Sequence, residues 1–112
     1  MSDVDLILTA LADPTRRRVV YRLREKPRRA GELADSFGVT PAAMSRHLRV
    51  LHSRGLIEEE RFAADARVRL FRLRREPFAK LHDWLDRVEA FWSVQLDSFK
   101  KHAERTRSRK HG

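Results

Sequence analysis

The stretch TPAAMSRHLRVLHSRGLIEEE, residues 40–60, begins with the pattern of a helix and ends with that of a strand. Its apolar side chains recur at spacings of four and three residues, the period of one helix face, and they are Met44, Leu48 and Leu51. Thr40 followed by Pro41 is typical of an N-cap and a first helical residue. The stretch therefore predicts a helix over residues 41–54, ended by Gly55.

Another helix is predicted immediately before this one. Residues 30–37 hold apolar side chains at helical spacing, and Gly38 supplies the left-handed residue that ends such a helix. Since only GVT separates the two helices, they must cross at a steep angle. This arrangement predicts a helix-turn-helix.

Two further helices are expected upstream. Residues 6–11 have the spacing of a short amphipathic helix, and residues 13–27, DPTRRRVVYRLREKP, have that of a longer one. Asp13 is the predicted N-cap of the longer helix. Pro14 follows at the first helical position, where the missing N–H of proline costs nothing.

Downstream of residue 55 the period changes to that of strands. The segments LIEEERF and ARVRLFRL are rich in β-branched, aromatic and alternating charged residues, and AADA connects them. We predict a β-hairpin in which the glutamates at 58–60 pair with Arg67, Arg69 or Arg72. A long helix follows over about residues 76–103, with an apolar seam that requires another helix along its length.

The charge of the chain points to a polyanionic partner. Lys plus Arg number 25 against 16 Asp plus Glu, and the formal net charge is +9. Residues 100–112 hold six basic residues and one acidic one, so much of the excess lies in the tail. We predict one domain over residues 1–103 and a basic, disordered tail over residues 104–112.

The sequence gives no support to several other classes of protein. The lack of cysteine excludes disulfides, thiolate metal sites and thiol nucleophiles. No apolar run approaches the roughly 18 residues of a membrane span, and MSDVDLILTA is acidic where a secretory signal is basic. No catalytic cluster or Gly-rich phosphate loop is present. We expect a cytoplasmic protein that is not an enzyme and has no cofactor.

The outer face of the helix over residues 41–54 holds the candidate DNA-binding residues. Those that lie away from its apolar face are Thr40, Pro41, Ala42, Ser45, Arg46 and Arg49. Arg46 can donate two parallel hydrogen bonds to guanine, and Ser45 can bond to a base or a phosphate. On an isolated helix this would be a solvated face. As the second helix of a helix-turn-helix in a basic protein, it is a candidate for reading double-stranded DNA.

Three segments together resemble the ArsR-type winged-helix bacterial repressors. They are LADPTRRRVVYRL, GELADSFGVTPAAMSRHLRVLHSRGLI and RLFRL, and the resemblance covers residues 6 to 99. It implies a mainly α-helical winged helix-turn-helix fold whose β-hairpin is the wing. It also implies a homodimer on an inverted-repeat operator, often near the repressor's own promoter, with residues 41–54 in the major groove.

The resemblance implies particular contact residues as well. The DNA-contacting positions of the family correspond to Ala42, Ser45, Arg46 and Arg49, with Arg67 at the wing. The first and last helices would form the subunit interface, and the interface residues expected there are Leu6, Ile7, Leu11, Leu81, Leu85, Val88, Trp92, Leu96 and Phe99.

The chain departs from the family at its metal sites. Where thiolate ligands would lie, this sequence has RRAGELAD. On the last helix, His82 and Asp86 are one turn apart and could hold zinc, but no second histidine lies at the required distance. We therefore expect no metal, while a small-molecule inducer stays open. AADA also replaces the glycine usual at the wing tip, which affects the reach of Arg67.

Two alternatives to a sequence-specific repressor stay open at this stage. One is a winged helix that serves as a protein-interaction module, and the other is a nonspecific nucleic-acid binder. Arg46 and Arg49 argue against the first, because a protein-binding face normally carries more exposed apolar area.

Overall fold

Capping residues place the helices over residues 14–25 and 41–53 where the sequence predicts them, whereas the first helix begins at Asp3 and not near residue 6. The structure is a computed structural model that describes residues 2–62 and 64–111. In chain order its elements are α1 (Asp3–Ala10), α2 (Pro14–Glu25), β1 (Arg28–Arg29), α3 (Ala30–Phe37), α4 (Pro41–Ser53), β2 (Ile57–Phe62), β3 (Asp65–Leu73) and α5 (Glu76–His111).

The predicted caps make the expected hydrogen bonds. Asp13 Oδ1 accepts the backbone N–H of Thr15 at 2.8 Å, and Thr40 Oγ1 accepts that of Ala43 at 3.1 Å. Gly38 ends α3 at a φ of 64°, in the left-handed region. These local contacts fix both ends of the turn between α3 and α4, and the predicted helix-turn-helix is confirmed.

The sheet is the wing, and it has three antiparallel strands in the order β1–β3–β2 among the described residues. β2 and β3 form the predicted hairpin, with a register irregularity between Arg61 and Phe62. β1 was not predicted, because two residues are too short for a pattern. It pairs Arg28 with Phe71 and Arg29 with Leu70. Of the expected wing connection, Ala63 lies outside the described residues.

The core lies beneath α4, where helices and sheet meet. Each of α1–α4 and the two hairpin strands supplies at least one fully buried side chain. The buried apolar residues are Ile7, Ala10, Val19, Leu23, Leu33, Ala34, Met44, Leu48, Leu51, Leu56, Ile57 and Phe71. Burying one such side chain stabilises the fold by about 1.5–3 kcal/mol, so this cluster holds the helix-turn-helix on the wing.

The predicted interface residues fall into three groups. Ile7 is only 2% exposed in the core, so it has no surface to offer a partner, and its prediction as an interface residue is wrong. The half-buried members are Leu6, Leu11, Leu81 and Val88. The exposed members are Leu85, Trp92, Leu96 and Phe99.

The division of the chain also differs from the sequence prediction. It forms two compact units, Met1–Leu81 and His82–Gly112, and not a domain that ends at residue 103. The predicted disordered tail is helical as far as His111, the end of α5. Residues 104–111 contain no Gly or Pro, and their Lys, Arg and Glu residues favour a helix.

Two glycines of α3 and its cap should respond in opposite directions to alanine. Gly38 has a left-handed φ, whereas Gly31 lies inside the helix, and an added Cβ would meet no atom within 4 Å at either position. We expect Gly38→Ala to lower the free energy of unfolding by about 1 kcal/mol and Gly31→Ala to raise it by about 0.5–1 kcal/mol. Urea unfolding measures both. Equal shifts in the same direction would contradict the backbone assignment.

Candidate nucleic-acid interface

The buried face of α4 decides which of its side chains reach solvent. Met44, Leu48 and Leu51 are all buried in the core. Because each residue turns the helix by about 100°, residues at other phases must point outward. Residues 42, 45, 46 and 49 are spaced three, one and three apart, which places them along one stripe of the outer face.

All the predicted DNA-contacting positions have access to solvent. The exposed ones are Thr40, Pro41, Ala42, Arg46, Arg49 and Arg67, and Ser45 is half-buried. The structure brings the members from Thr40 to Arg49 together at the start and along the outer face of α4. Arg67 lies apart from them on β3, and its side chain is 93% exposed.

The two arginines on α4 carry uncompensated charge. Neither Arg46 nor Arg49 forms an ion pair with any residue that the structure describes. The first turn of α4 also has no acidic residue, so no carboxylate neutralises the partial positive charge at the start of that helix. The outer face of α4 is therefore cationic from its first turn onward.

The arginines of the hairpin strands β2 and β3 are paired with carboxylates of the same hairpin. Arg69 Nε donates to Glu59 Oε1 at 2.7 Å, and Arg72 Nη2 donates to Glu60 Oε2 at 2.5 Å, as the hairpin prediction expected. Arg67 differs from that expectation, because its Nε lies 3.3 Å from Asp65 Oδ1. The hydrogen bond from Arg69 holds the pKa of the Glu59 carboxyl below its ordinary value of 4.5.

A polar network not predicted from the sequence ties α4 to α1 and α2. His47 is half-buried on α4, and its Nδ1 lies 3.5 Å from Arg16 Nη1 and 3.9 Å from Asp13 Oδ1. Arg16 Nε in turn donates to the carbonyl of Ala10 at 2.6 Å. Burial raises the pKa of Asp13, but the backbone N–H groups of Arg16 and Thr15 bring it below its ordinary value.

A cleft of about 270 Å³ separates α4 from the wing. Ser45, Arg49 and His52 line it from the helix, and Glu59 and Arg69 line it from the hairpin. His52 and Arg69 were not among the predicted site residues, because the cleft forms only when the folded hairpin brings Arg69 beside α4. The ion pair between Glu59 and Arg69 thus lies next to the cationic stripe.

Comparison with known proteins agrees with this geometry. The family described as "Bacterial regulatory protein, arsR family" matches residues 13–59, which cover the helix-turn-helix. An ArsR family transcriptional regulator of known crystal structure is 33% identical, with a TM-score of 0.75, and the match covers 82% of this chain and 98% of that one. The chain belongs to the ArsR family.

Regulators from Mycobacterium tuberculosis are among the proteins to which this ArsR-family chain is similar. The HTH-type transcriptional regulator Rv2034 is 39% identical over 90 residues, which are 80% of this chain and 78% of that protein. The HTH-type transcriptional repressor SmtB is 38% identical over 64 residues, and this chain spans about half of its length, 47%. An ArsR-like regulator from Rhodococcus sp. RHA1 is 26% identical with a TM-score of 0.73, over 88% of this chain and 91% of that one.

Metal ligands are sparse in the part of this ArsR-family chain that the structure describes. It contains no group of three or more His, Asp or Glu side chains placed to hold a metal ion. His82 Nε2 and Asp86 Oδ2, 3.4 Å apart, form an exposed pair on α5. Two such ligands are fewer than the four of a structural zinc site and the three protein ligands of a catalytic one.

The described helices do not have the character of membrane spans. Within residues 2–62 and 64–111, no helix combines the length and the apolar character that crossing a bilayer requires.

The pairing of Glu59 with Arg69 should make the wing sensitive to acid. We expect Glu59→Gln to lower the free energy of unfolding by about 1 kcal/mol near neutral pH, because it removes a charge-assisted hydrogen bond. The pKa of Glu59 is lowered by folding, so its contribution is complete above the unfolded value and is lost as the pH falls through the folded one. Urea unfolding from about pH 7 to about pH 3 should show the variant and the wild type converging in acid.

Glu60→Gln is the matched control for this experiment. Its partner is Arg72, and both side chains of that pair are nearly half exposed, so water screens the interaction. The control should lose less stability than Glu59→Gln. A difference between Glu59→Gln and wild type that stays constant with pH would contradict the assigned pairing.

Proposed function

We propose that the protein is a homodimeric, sequence-specific transcriptional repressor that binds an inverted-repeat operator with residues 41–54 in the major groove. Membership of the ArsR family, and the names of Rv2034 and SmtB as transcriptional regulator and repressor, support transcriptional regulation. Repression of its own promoter is part of the proposal. A repressor acts where the chromosome lies, which places this protein in the bacterial cytoplasm.

One observation carries the proposal: the exposed stripe on α4 keeps its positive charge, while the arginines of the β2–β3 hairpin are paired with carboxylates. DNA attracts cationic side chains through its phosphates, but only contacts to base edges read sequence. An arginine held on a rigid helix, without a carboxylate partner, is available for both. Arg46 and Arg49 meet this condition among the described residues.

Each position on the stripe suits a different part of a DNA groove. Arg46 presents a planar guanidinium that can donate two parallel hydrogen bonds to O6 and N7 of guanine. Ser45 can bond to a base or a phosphate, and Ala42 is small enough for the helix to approach the groove floor. Arg49 extends the stripe by one turn toward the phosphates. The partial positive charge of the helix dipole at the start of α4 favours a phosphate near Thr40 and Pro41.

Reading a long operator requires two copies of this helix. One recognition helix contacts only one half-site, and a twofold dimer places two helices in successive major grooves. The described part of α5 carries large apolar side chains that are exposed in a single chain. They include Phe91, Trp92, Leu96 and Phe99, with Trp92 58% exposed and Phe99 73% exposed. Exposed apolar residues at this density support a helix that pairs with a second copy.

Arg46→Ala tests whether α4 reads sequence. We expect it to weaken operator binding by about 1–3 kcal/mol through the loss of a bidentate base contact, and to weaken binding to scrambled duplex much less. The operator is obtained by selecting bound fragments from genomic DNA with the purified protein. Affinities for the two duplexes are then measured by fluorescence anisotropy across a salt series.

Arg75→Ala is the matched control, because it removes the same charge from the connection between β3 and α5. It should change the affinity for both duplexes by the same factor. If Arg46→Ala also weakens both duplexes equally, the protein is a nonspecific nucleic-acid binder. If the wild type binds neither duplex, the protein-interaction module becomes the better description.

Trp92→Ala tests the dimer. Wild-type protein should sediment at roughly twice the chain mass of 13.2 kDa at micromolar concentration. Truncating an interface tryptophan typically weakens association by at least about 2 kcal/mol, so the variant should shift toward monomer. Gln95→Ala, an exposed polar position on the same helix, should leave the association unchanged. A monomeric wild type would exclude the proposed dimer.

A further inference from the structure

A groove of about 400 Å³ opens between the end of α1, α2, the end of β3 and the start of α5, away from the residues proposed to contact DNA. Its floor is formed by Leu11, Val20, Leu73 and Phe78, which are all partly buried against the core. Small-molecule sites typically have volumes of about 300–1,000 Å³, with apolar walls and a few polar groups. The groove has both the size and the lining of such a site.

Arg17 stands at the rim of this groove with part of its guanidinium already fixed. Its Nη1 donates to the carbonyl oxygens of Leu11 at 2.8 Å and Ala12 at 3.0 Å. These two bonds use both hydrogens of Nη1, while Nε and Nη2 donate to no acceptor among the described residues. The edge of a guanidinium that joins Nε and Nη2 is a fork that matches a carboxylate. Arg17 is therefore a preorganised carboxylate receptor beside an apolar floor.

Two more side chains of α2 complete the rim. Arg24 lies with its guanidinium carbon 5.6 Å from the centre of the Tyr21 ring, a cation–π contact that holds it at the groove. Tyr21 is itself 58% exposed, which is unusual for a large aromatic side chain. Residues 17, 21 and 24 are spaced four and three apart, so they form one row along the helix.

Among the described residues, no carboxylate that lines the groove neutralises the positive charge of its rim. The residues that line the groove, all within the described range, include no Asp or Glu. Arg17 and Arg24 form no ion pair with a described residue. An uncharged apolar occupant would use the floor but leave this positive potential unmatched.

We propose that the groove binds a free organic carboxylate with an apolar body. The carboxylate accepts the Nε and Nη2 hydrogens of Arg17, Arg24 adds a second positive charge, and the apolar body lies on Val20, Leu73 and Phe78. This site is separate from α4, and it stands whether or not the protein binds DNA.

Octanoate is the probe, and the measurement is a titration of the full-length protein followed by amide chemical shifts. Octanol is the neutral control of the same chain length, and octylammonium is the cationic one. Octanoate should shift the amides of Leu11, Val20 and Leu73 in a saturable way. Octanol should bind at least about tenfold more weakly, because it lacks the charge-assisted hydrogen bonds, and octylammonium should not bind.

Arg24→Gln and Arg22→Gln form the decisive pair of variants. Both remove one charge from α2, but Arg22 lies over the ring of Phe37 and does not line the groove. Arg24→Gln should weaken octanoate binding by about fivefold, whereas Arg22→Gln should leave it unchanged. The expected factor is modest because the Arg24 side chain is exposed and water screens its charge. Arg17→Gln should weaken it further, but it also frees two carbonyls at the end of α1, so Arg24→Gln is the cleaner test.

Three results would overturn the proposal. The first is binding of octanol as tight as that of octanoate, which would make the groove merely apolar. The second is an equal effect of Arg24→Gln and Arg22→Gln. The third is a set of groove amide chemical shifts that change when the protein is diluted but do not respond to octanoate. That result would mean that a second copy fills the groove.

Discussion

Met44, Leu48 and Leu51 hold α4 on the core, and their burial determines which side chains of that helix meet solvent. Their combined burial contributes several kcal/mol at about 1.5–3 kcal/mol for each side chain, so rotation of the helix about its axis is strongly opposed. The positions at the opposite phase must then face outward together. Arg46 and Arg49 project from a rigid support for this reason, and a sequence-reading helix needs such a support.

The local charge of the protein surface depends on which arginines are paired with carboxylates, more than on the overall composition. The formal net charge of +9 would suit any generic nucleic-acid binder. In the folded chain, the arginines at 69 and 72 are held by Glu59 and Glu60, whereas those at 46 and 49 have no carboxylate partner among the described residues. Compared with the hairpin, the outer face of α4 therefore presents unpaired positive charge to a DNA duplex. The same reasoning, applied to Arg17 and Arg24 beside an apolar floor, leads to the carboxylate groove.

The residues that position α4 are as informative as those that it exposes. His47 faces Arg16 and Asp13, and Arg16 also binds the carbonyl of Ala10 at the end of α1. Through one half-buried arginine, α4 is thus in polar contact with α2 and with the end of α1. A half-buried polar network of this kind specifies a single orientation, because an alternative packing would leave its donors without partners.

The sequence by itself determined the elements whose signals are local. Asp13 with Pro14, Thr40 with Pro41, and Gly38 place helix ends through contacts within three or four residues, and the periods of 3.6 and 2 separate the helices from the hairpin. The exposed stripe on α4 follows from the same periodicity. The family resemblance supplied the wing and the expected role of Arg67, and the structure places that residue on β3.

Only the tertiary structure decided features that join distant parts of the chain. β1 exists because residues 28 and 29 meet Phe71 and Leu70 across about forty positions, and two residues carry no pattern of their own. Ile7 looked like an interface residue, since apolar spacing on a short helix cannot distinguish a face toward the core from one toward a partner. The contact of Arg16 with His47 and the groove beside Arg17 likewise depend on packing. Side chains far apart in sequence become neighbours only when the core fixes the helices, and no local signal encodes that distance.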